Sequence, residues 1–458
     1  QTTSANKDTR FSTSPGAIGW AYADRDTRWR HMPGIGSLSL PDTALLRNPL
    51  TDRFADDVCL YFTRTSRWGV ASLTVTNCTV SFAESGFRMH VTNDLVIGAN
   101  GEFGMGGDPA GTGYVLSSAG NILLTNSGTM VVYSGITNAA TASWGALVAV
   151  TNSFIVSPGS WVYPASHESN GGSPMFRMSN LHVRAGGGFS ANTKGFGPRT
   201  GPGKSADVGG MPGGAGHGGK GGDGVNGAGG NGYGVTNGPV MPGSGGGSYP
   251  SAERYGKNGA GGGTVRIEAS GLAQVDGTVR ANGESGLYDN YGTGGSGGSI
   301  YLACNSFLGE TTAVMRADGG NSYNSNTSSG GGGGGRIAVW MGVSATNRSR
   351  SLSGLTVTNL SVATFFPYYD GVLSWTNGAG RTANPALPGT RRFMRMVAPN
   401  SFYLQIVGKP NKLHGAPQPL GYGSHLNITS GTTLTNRVAS PADQVGGLRH
   451  ACTGWKLK

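Results

Sequence analysis

Four short stretches hold residue types at spacings that could do chemistry. Gly218-Gly219-Lys220-Gly221-Gly222-Asp223-Gly224-Val225-Asn226 fits the nonapeptide GGxGxDxUx. In that motif calcium sits between an aspartate and the backbone carbonyls of successive turns. The nine residues from Gly227 carry no aspartate, so the second turn is missing. Asp223 is therefore a weak calcium candidate, and no other cofactor or metal is expected. Asp56-Asp57 with Arg64 and Arg67 is the one acid–base cluster that a polysaccharide lyase or hydrolase could use. Carboxylates are sparse after residue 110, and a cap held by surface ion pairs explains these four residues more simply. Pro198-Arg-Thr-Gly-Pro-Gly203-Lys204-Ser205 lacks the first glycine of a phosphate loop, and no strand leads in or helix out. Gly294-x-Ser296-x-Gly298 mimics a nucleophile elbow without the strand–turn–helix frame that chemistry needs. No catalytic residue is assigned.

The four cysteines, Cys59, Cys78, Cys304 and Cys452, form no CxxC pair. Cys59 and Cys78 are separated by nearly one coil of the repeat described below, which makes them candidates for a stacked disulfide. Cys304 lies in an apolar strand and reads as a buried thiol.

The elements that must position these residues come from a repeat. Two alternating apolar positions followed by a polar residue and asparagine recur as Leu73–Asn77, Met89–Asn93, Ile122–Asn126, Val148–Asn152, Phe176–Asn180 and Leu355–Asn359. A second short apolar alternation follows the first five. Alternation broken by asparagine is strand, corner, strand, because asparagine tolerates the left-handed backbone of a tight corner. Steps of some 20–30 residues match one coil of a parallel β-solenoid. The competing reading is an antiparallel β-sandwich with asparagine turns. Thr264–Gly283, Ser299–Gly319 and the stretch from Arg336 repeat the unit with glycine at its ends.

The predicted fold is all-β: a parallel β-helix over 71–364, an N-terminal cap or arm over 1–70, and a basic C-terminal β module over 365–458. Glycine-rich inserts are placed at 201–263, 284–298 and 321–335. Of residues 201–247, 22 are glycine, in runs such as Gly210, Gly213, Gly216, Gly219 and Gly222. A three-residue period is that of polyproline II, whose backbone groups are free to pair with neighbouring chains. The inserts are therefore expected to pack as polyglycine-II-like strands rather than to act as linkers.

Glycine supplies 84 of the 458 residues, and charged residues only 12%. No run of 18 apolar residues is present, which excludes a membrane-spanning helix on the sequence. The net charge of +11 lies wholly in residues 336–458, with 13 Lys and Arg against 2 Asp. Such a patch suits an acidic polysaccharide or a cell surface. Nucleic acid ranks last, because no basic and stacking aromatic residues interleave.

The alternation of short strands with runs such as Gly330–Gly335 resembles large glycine-rich β-helix proteins exported by planctomycete- and verrucomicrobia-type bacteria. The tail from Gly408-Lys-Pro410 through His414-Gly415 and Ser440-Pro441 to Cys452-Thr-Gly454-Trp455 resembles a small module recurring in them. The resemblance implies export and repeat architecture, and no catalytic residues. The start at Gln1 fits removal of a secretory signal, so an extracellular or cell-surface location is expected. The favoured function is a structural protein that self-assembles into a filament, sheath or surface layer. An adhesin or glycan-binding protein is the alternative, and a lyase or hydrolase the third. Trp20, Trp29 and Trp68 in the arm, and Arg391, Arg392, Arg395 and Trp455 in the basic module, are the candidates for assembly or ligand contacts.

Overall fold

The computed structural model describes residues 11–12 and 36–346, less 109, 138–142, 209, 249–257, 288–291 and 324–327. It also describes 357–359, 369–396 and short stretches of 401–450. Among these residues there is no α-helix. The chain is a parallel β-solenoid with three stacked columns of strands, here called faces A, B and C.

Face A is a ten-stranded parallel sheet that starts at Gly36–Leu40 and Val58–Phe62 and ends at Val314–Arg316 and Val372–Ser374. Faces B and C belong to the sixteen-stranded sheet. Their strands join in Thr264–Val275 and Ser299–Leu308, each of which crosses from B to C with a register shift or bend. One coil runs B, C, A, as in Arg88–Val91, Leu95–Gly98 and Glu102–Met105. Registers hold from coil to coil: Leu95 pairs with Leu73 below and Ile122 above.

Strict alternation explains the pairing. Leu73–Thr76, Thr79–Phe82 and Ala146–Val150 bury every second side chain, so a slip of one residue would turn the core outward. The inward side chains form one continuous core from Leu40 to Phe393. Its early coils are filled by Phe62, Phe82, Phe87 and Phe103, with rings 5.3 Å apart at Phe82–Phe87.

The asparagine corners are of two kinds. Asn77 and Asn126 adopt left-handed φ of 51° and 48° between faces C and A. Asn93 and Asn152 lie between faces B and C, and Asn180 opens the face C strand Asn180–Val183, all outside that region. The two kinds alternate irregularly in sequence, which is why the steps between asparagines are uneven. At the second corner the side chains form a ladder: Asn121 N donates to Asp94 Oδ1 at 2.7 Å, and Ser153 N to Asn121 Oδ1 at 3.1 Å.

The solenoid is longer than its asparagine repeat. It begins at Gly36–Leu40, inside the expected cap, and continues through Thr390–Met396, beyond the expected boundary at 364. Gly36–Leu40 alternates, but its corner residue Asn48, whose Oδ1 accepts from Thr74 N at 2.9 Å, follows no apolar alternation, and Thr390–Met396 buries its last four residues in a row. Two antiparallel pairs follow, Ser401–Ile406 with Gly423–Thr429 and Asp443–Val445 with Leu448–His450.

Four long excursions leave from the same place, the corner from face A to face B. They span 191–263, 281–298, 317–335 and 375–389. The last was not anticipated, because proline and alanine replace much of its glycine. Leaving one corner of successive coils, the excursions lie side by side.

Candidate functional site: the glycine bundle and its junction with the solenoid

Residues 330–335 form the centre of the bundle. Gly330 N donates to Pro212 O (3.1 Å), Gly332 N to Gly320 O (2.8 Å), Gly333 N to Ala215 O (2.8 Å) and Gly334 N to Leu387 O (3.0 Å). In turn their carbonyls accept from Gly294, Gly222, Gly378, Gly297 and Gly219 at 2.8–3.1 Å. One six-residue segment is thus bonded to six neighbouring segments, near residues 212–215, 219–222, 294–297, 317–320, 378 and 387–390. This is the packing of polyglycine II, and it satisfies buried backbone groups without a sheet.

The period of three appears in what each glycine faces. A side chain at Gly330 or Gly333 would strike the carbonyl of Gly222 or Gly219. At Gly331 or Gly334 it would strike Gly378 or Trp375, and at Gly332 or Gly335, Gly295 or Gly298. All six would come closer than 3.0 Å to backbone. Close approach therefore requires glycine here. On the outer strand the same period puts Val225, Ala228 and Asn231 in solvent while Gly227 and Gly230 stay buried.

A second ladder fixes the root of the bundle. Asn282 N donates to Asn192 Oδ1, Asp318 N to Asn282 Oδ1 and Thr376 N to Asp318 Oδ1, each at 2.8 Å. Each coil's Asn or Asp thus holds the backbone of the next where the excursion departs.

A buried polar cluster joins the bundle to face B. His217 is fully buried, its Nδ1–H donates to Gly297 O at 2.9 Å, and its Nε2 has no hydrogen-bond partner. Its ring lies 4.8 Å from that of Tyr233. Burial, then the Arg336 guanidinium, push the imidazole down to about 3. Arg336, the first residue of Arg336–Met341, donates to Tyr233 O (2.7 Å), Thr236 Oγ1 (3.0 Å), Thr390 Oγ1 (2.8 Å) and His217 O (3.3 Å). Tyr233 Oη accepts from Ser244 Oγ at 2.9 Å, and burial raises its phenol.

From this cluster residues 233–241 run back over the outer side of face B as a strap. Trp340 Nε1 donates to Asn237 O at 2.6 Å, Ser299 Oγ to Met241 O at 2.6 Å and Ser173 Oγ to Val240 O at 3.2 Å. In this region the outward side chains Tyr301, Ala303, Ala338, Trp340, Met394 and Met396 form a second buried apolar cluster.

The residues singled out in the sequence are scattered. Asp223 Oδ1 accepts from Gly229 N at 2.7 Å and Lys220 Nζ at 3.1 Å; burial alone would raise its carboxyl, but these donors hold it below the usual range. Among the described residues no three His, Cys, Asp or Glu side chains gather as a metal site. Asp56 Oδ1 accepts from Thr79 N at 3.2 Å, in a corner of the first coils. Ser205 and Ser296 are buried and bonded inside the bundle, to Gly213 O and Ser244 N.

Cys59 and Cys78, the candidate disulfide pair, are both free thiols. Cys59 is level with Ser81, three residues along the strand from Cys78. Cys78 is also buried, whereas Cys59 lies on the outward side of its strand. A separation of one coil in sequence was not a separation of one rung in space, and that geometry forbids the bridge. Cys304 is a buried thiol as expected.

Trp68 is 7% exposed and packs on Phe82 at 5.6 Å, so it is core and no contact surface. Arg391 lies 4.3 Å over the Trp375 ring, closing the end of the core, and Arg395 is buried, which lowers its guanidinium to about 10. Arg392 alone of the three is exposed. Trp20, Trp29, Trp455 and most of the tail motif lie outside the described residues. Sequence reading missed His217, Tyr233 and Arg336. Their one signal was a bulky polar residue inside a glycine-dominated stretch or at its end.

No helix among the described residues is long and apolar enough to cross a membrane. No protein-family model, curated protein or solved structure matches the chain.

Proposed function

We propose that the chain is an exported structural protein that assembles with copies of itself into an extracellular filament, sheath or surface layer. The observation that carries this reading is the bonding of residues 330–335 to six neighbouring segments. The chain commits a large part of its length to a rigid, crosslinked body rather than to a cleft. The polarity of the solenoid supports assembly. Face A begins at Gly36–Leu40 and ends at Val372–Ser374, and every pairing between them is parallel. The last strand of one copy is therefore matched in direction to the first strand of the next, and Val372 at that end is 48% exposed. A heterologous contact of this kind that does not close on itself builds a helical filament. Light scattering across a concentration series of the full chain tests it: mass must grow steeply with concentration, and a constant monomer mass overturns it.

A second reading, a surface adhesin for glycans, draws on face A. Trp161 points outward there, with the Arg280 guanidinium 4.9 Å from its ring, and Arg316 is exposed one coil on. An aromatic ring beside arginines suits an acidic sugar chain. Binding to an acidic polysaccharide that survives moderate salt and is lost in Trp161→Ala would favour it; equal binding by the variant would remove it.

A further inference from the structure

We propose that residues 233–241 are an acid-released strap, with His217 as its latch, and that its release uncovers Trp340 on the outer side of face B. The geometry carries three parts of this. First, the strap crosses the apolar cluster at Trp340: Asn237 O holds its indole N–H at 2.6 Å, and Trp340 is fully buried. Second, the strap is tied at one end through polar groups. Arg336 binds Tyr233 O and Thr236 Oγ1, and the Tyr233 ring rests on His217.

Third, the latch has no room for a second proton. His217 Nδ1–H is committed to Gly297 O, and Nε2, without an acceptor, shares its surroundings with Arg336. A side chain at Gly234 would meet His217 Nε2 at 3.8 Å and Arg336 Nε at 3.9 Å. Gly234 itself is exposed, so the proton's route to Nε2 is one residue thick and lies in the strap. The groups that face the ring are Tyr233 from the strap, Arg336 from face B and the Gly297 and Gly298 backbone from the bundle; Arg392 lies behind Arg336. None is a carboxylate. Protonation would bury an imidazolium against a guanidinium, a cost met most cheaply by lifting the strap.

The sign follows from linkage. The closed strap holds His217 neutral down to about 3, whereas a released His217 takes a proton near the ordinary 6.5. The closed form is therefore fully favoured above 6.5. Its advantage falls about tenfold for each pH unit below that, until about 3.

Hydrogen exchange of the full chain between pH 7 and pH 4, corrected for intrinsic rates, tests the proposal, with the fluorescent probe ANS reporting apolar exposure. The wild type must lose protection at Tyr233 N–H, which donates to His217 O at 2.8 Å, and gain ANS emission as pH falls, while protection in Leu95–Gly98 and Ile122–Leu124 persists. His217→Gln, which cannot charge and can still donate to Gly297 O, must keep the strap protected at pH 4. If His217→Gln fails to fold, His217→Phe, which can stack on Tyr233, takes its place. The half-buried His182 provides the control, and His182→Gln must open like the wild type. A strap that stays protected in the wild type at pH 4, or that opens equally in the His217 variants, overturns the proposal.

Discussion

Asn282 Oδ1 accepts the backbone N–H of Asp318, one coil further on, at 2.8 Å. Asp318 repeats the arrangement with Thr376, and its Oδ1 also accepts from Ser374 Oγ (2.5 Å) and Thr376 Oγ1 (3.0 Å). The ladder stands where the chain leaves face A for the bundle, so it sets the spacing of the excursions. Asp318→Ala should therefore destabilise the chain by about 1–3 kcal/mol, the worth of hydrogen bonds to a charged acceptor. Asp318→Asn, which keeps an acceptor oxygen, should lose much less. Denaturant midpoints and exchange at Thr376 N–H measure both.

Close packing of the bundle gives a sharper contrast. A methyl at Gly332 would meet the carbonyl of Gly295, whereas one at Gly69, on face B, has nothing within 4 Å. Gly332→Ala should cost about 1–3 kcal/mol or more, as overpacked interiors do. Gly69→Ala should be neutral or slightly stabilising, since alanine lowers the entropy of the unfolded chain. Thermal unfolding of the two variants decides it, and equal melting temperatures would contradict the lattice.

Acid should act in two windows. Below 6.5 the latch at His217 is lost first. Asp207 responds later: burial raises its carboxyl, but Arg199, at 2.9 Å, and the Ser248 N–H outweigh that and hold it below the ordinary 3.8. Its contribution is present above 3.8 and is lost as pH falls below that value. Arg199→Ala should lower stability at neutral pH and flatten the loss below about 4, where Asp207 titrates. Urea midpoints between pH 7 and pH 2.5 separate the two windows.

The cysteines should react in a fixed order. Cys59 is half-buried and its thiol is raised by burial, while burial pushes Cys78 up to about 12 and raises Cys304 further. Iodoacetamide should modify Cys59 slowly and faster with rising pH, and reach Cys304 only on unfolding, because the thiolate is the nucleophile. Peptide mass mapping without reductant should find no Cys59–Cys78 bridge.

These outcomes depend on features that differed in how readily they could be read. Alternation at Leu73–Thr76 or Ala146–Val150 encodes a strand and its buried side directly, and the period of three in 201–247 encodes polyglycine II. The first and last coils were harder. The corner Asn48 after Gly36–Leu40 follows no apolar alternation and Thr390–Met396 does not bury alternate residues, so only pairing with neighbours identifies them. Two kinds of corner carry the same asparagine, so coil length could not be read from Asn77 and Asn93, and the Cys59–Cys78 pairing failed with it. The junction of His217, Tyr233 and Arg336 spans more than 100 residues of sequence and no local pattern links its members.

Direct imaging reaches the central claim most simply. Negative-stain electron microscopy of the full chain, at concentrations where light scattering rises, should show filaments or sheets with a regular repeat along the solenoid axis. Isolated, uniform particles with no fibres or layers at any concentration would contradict the account.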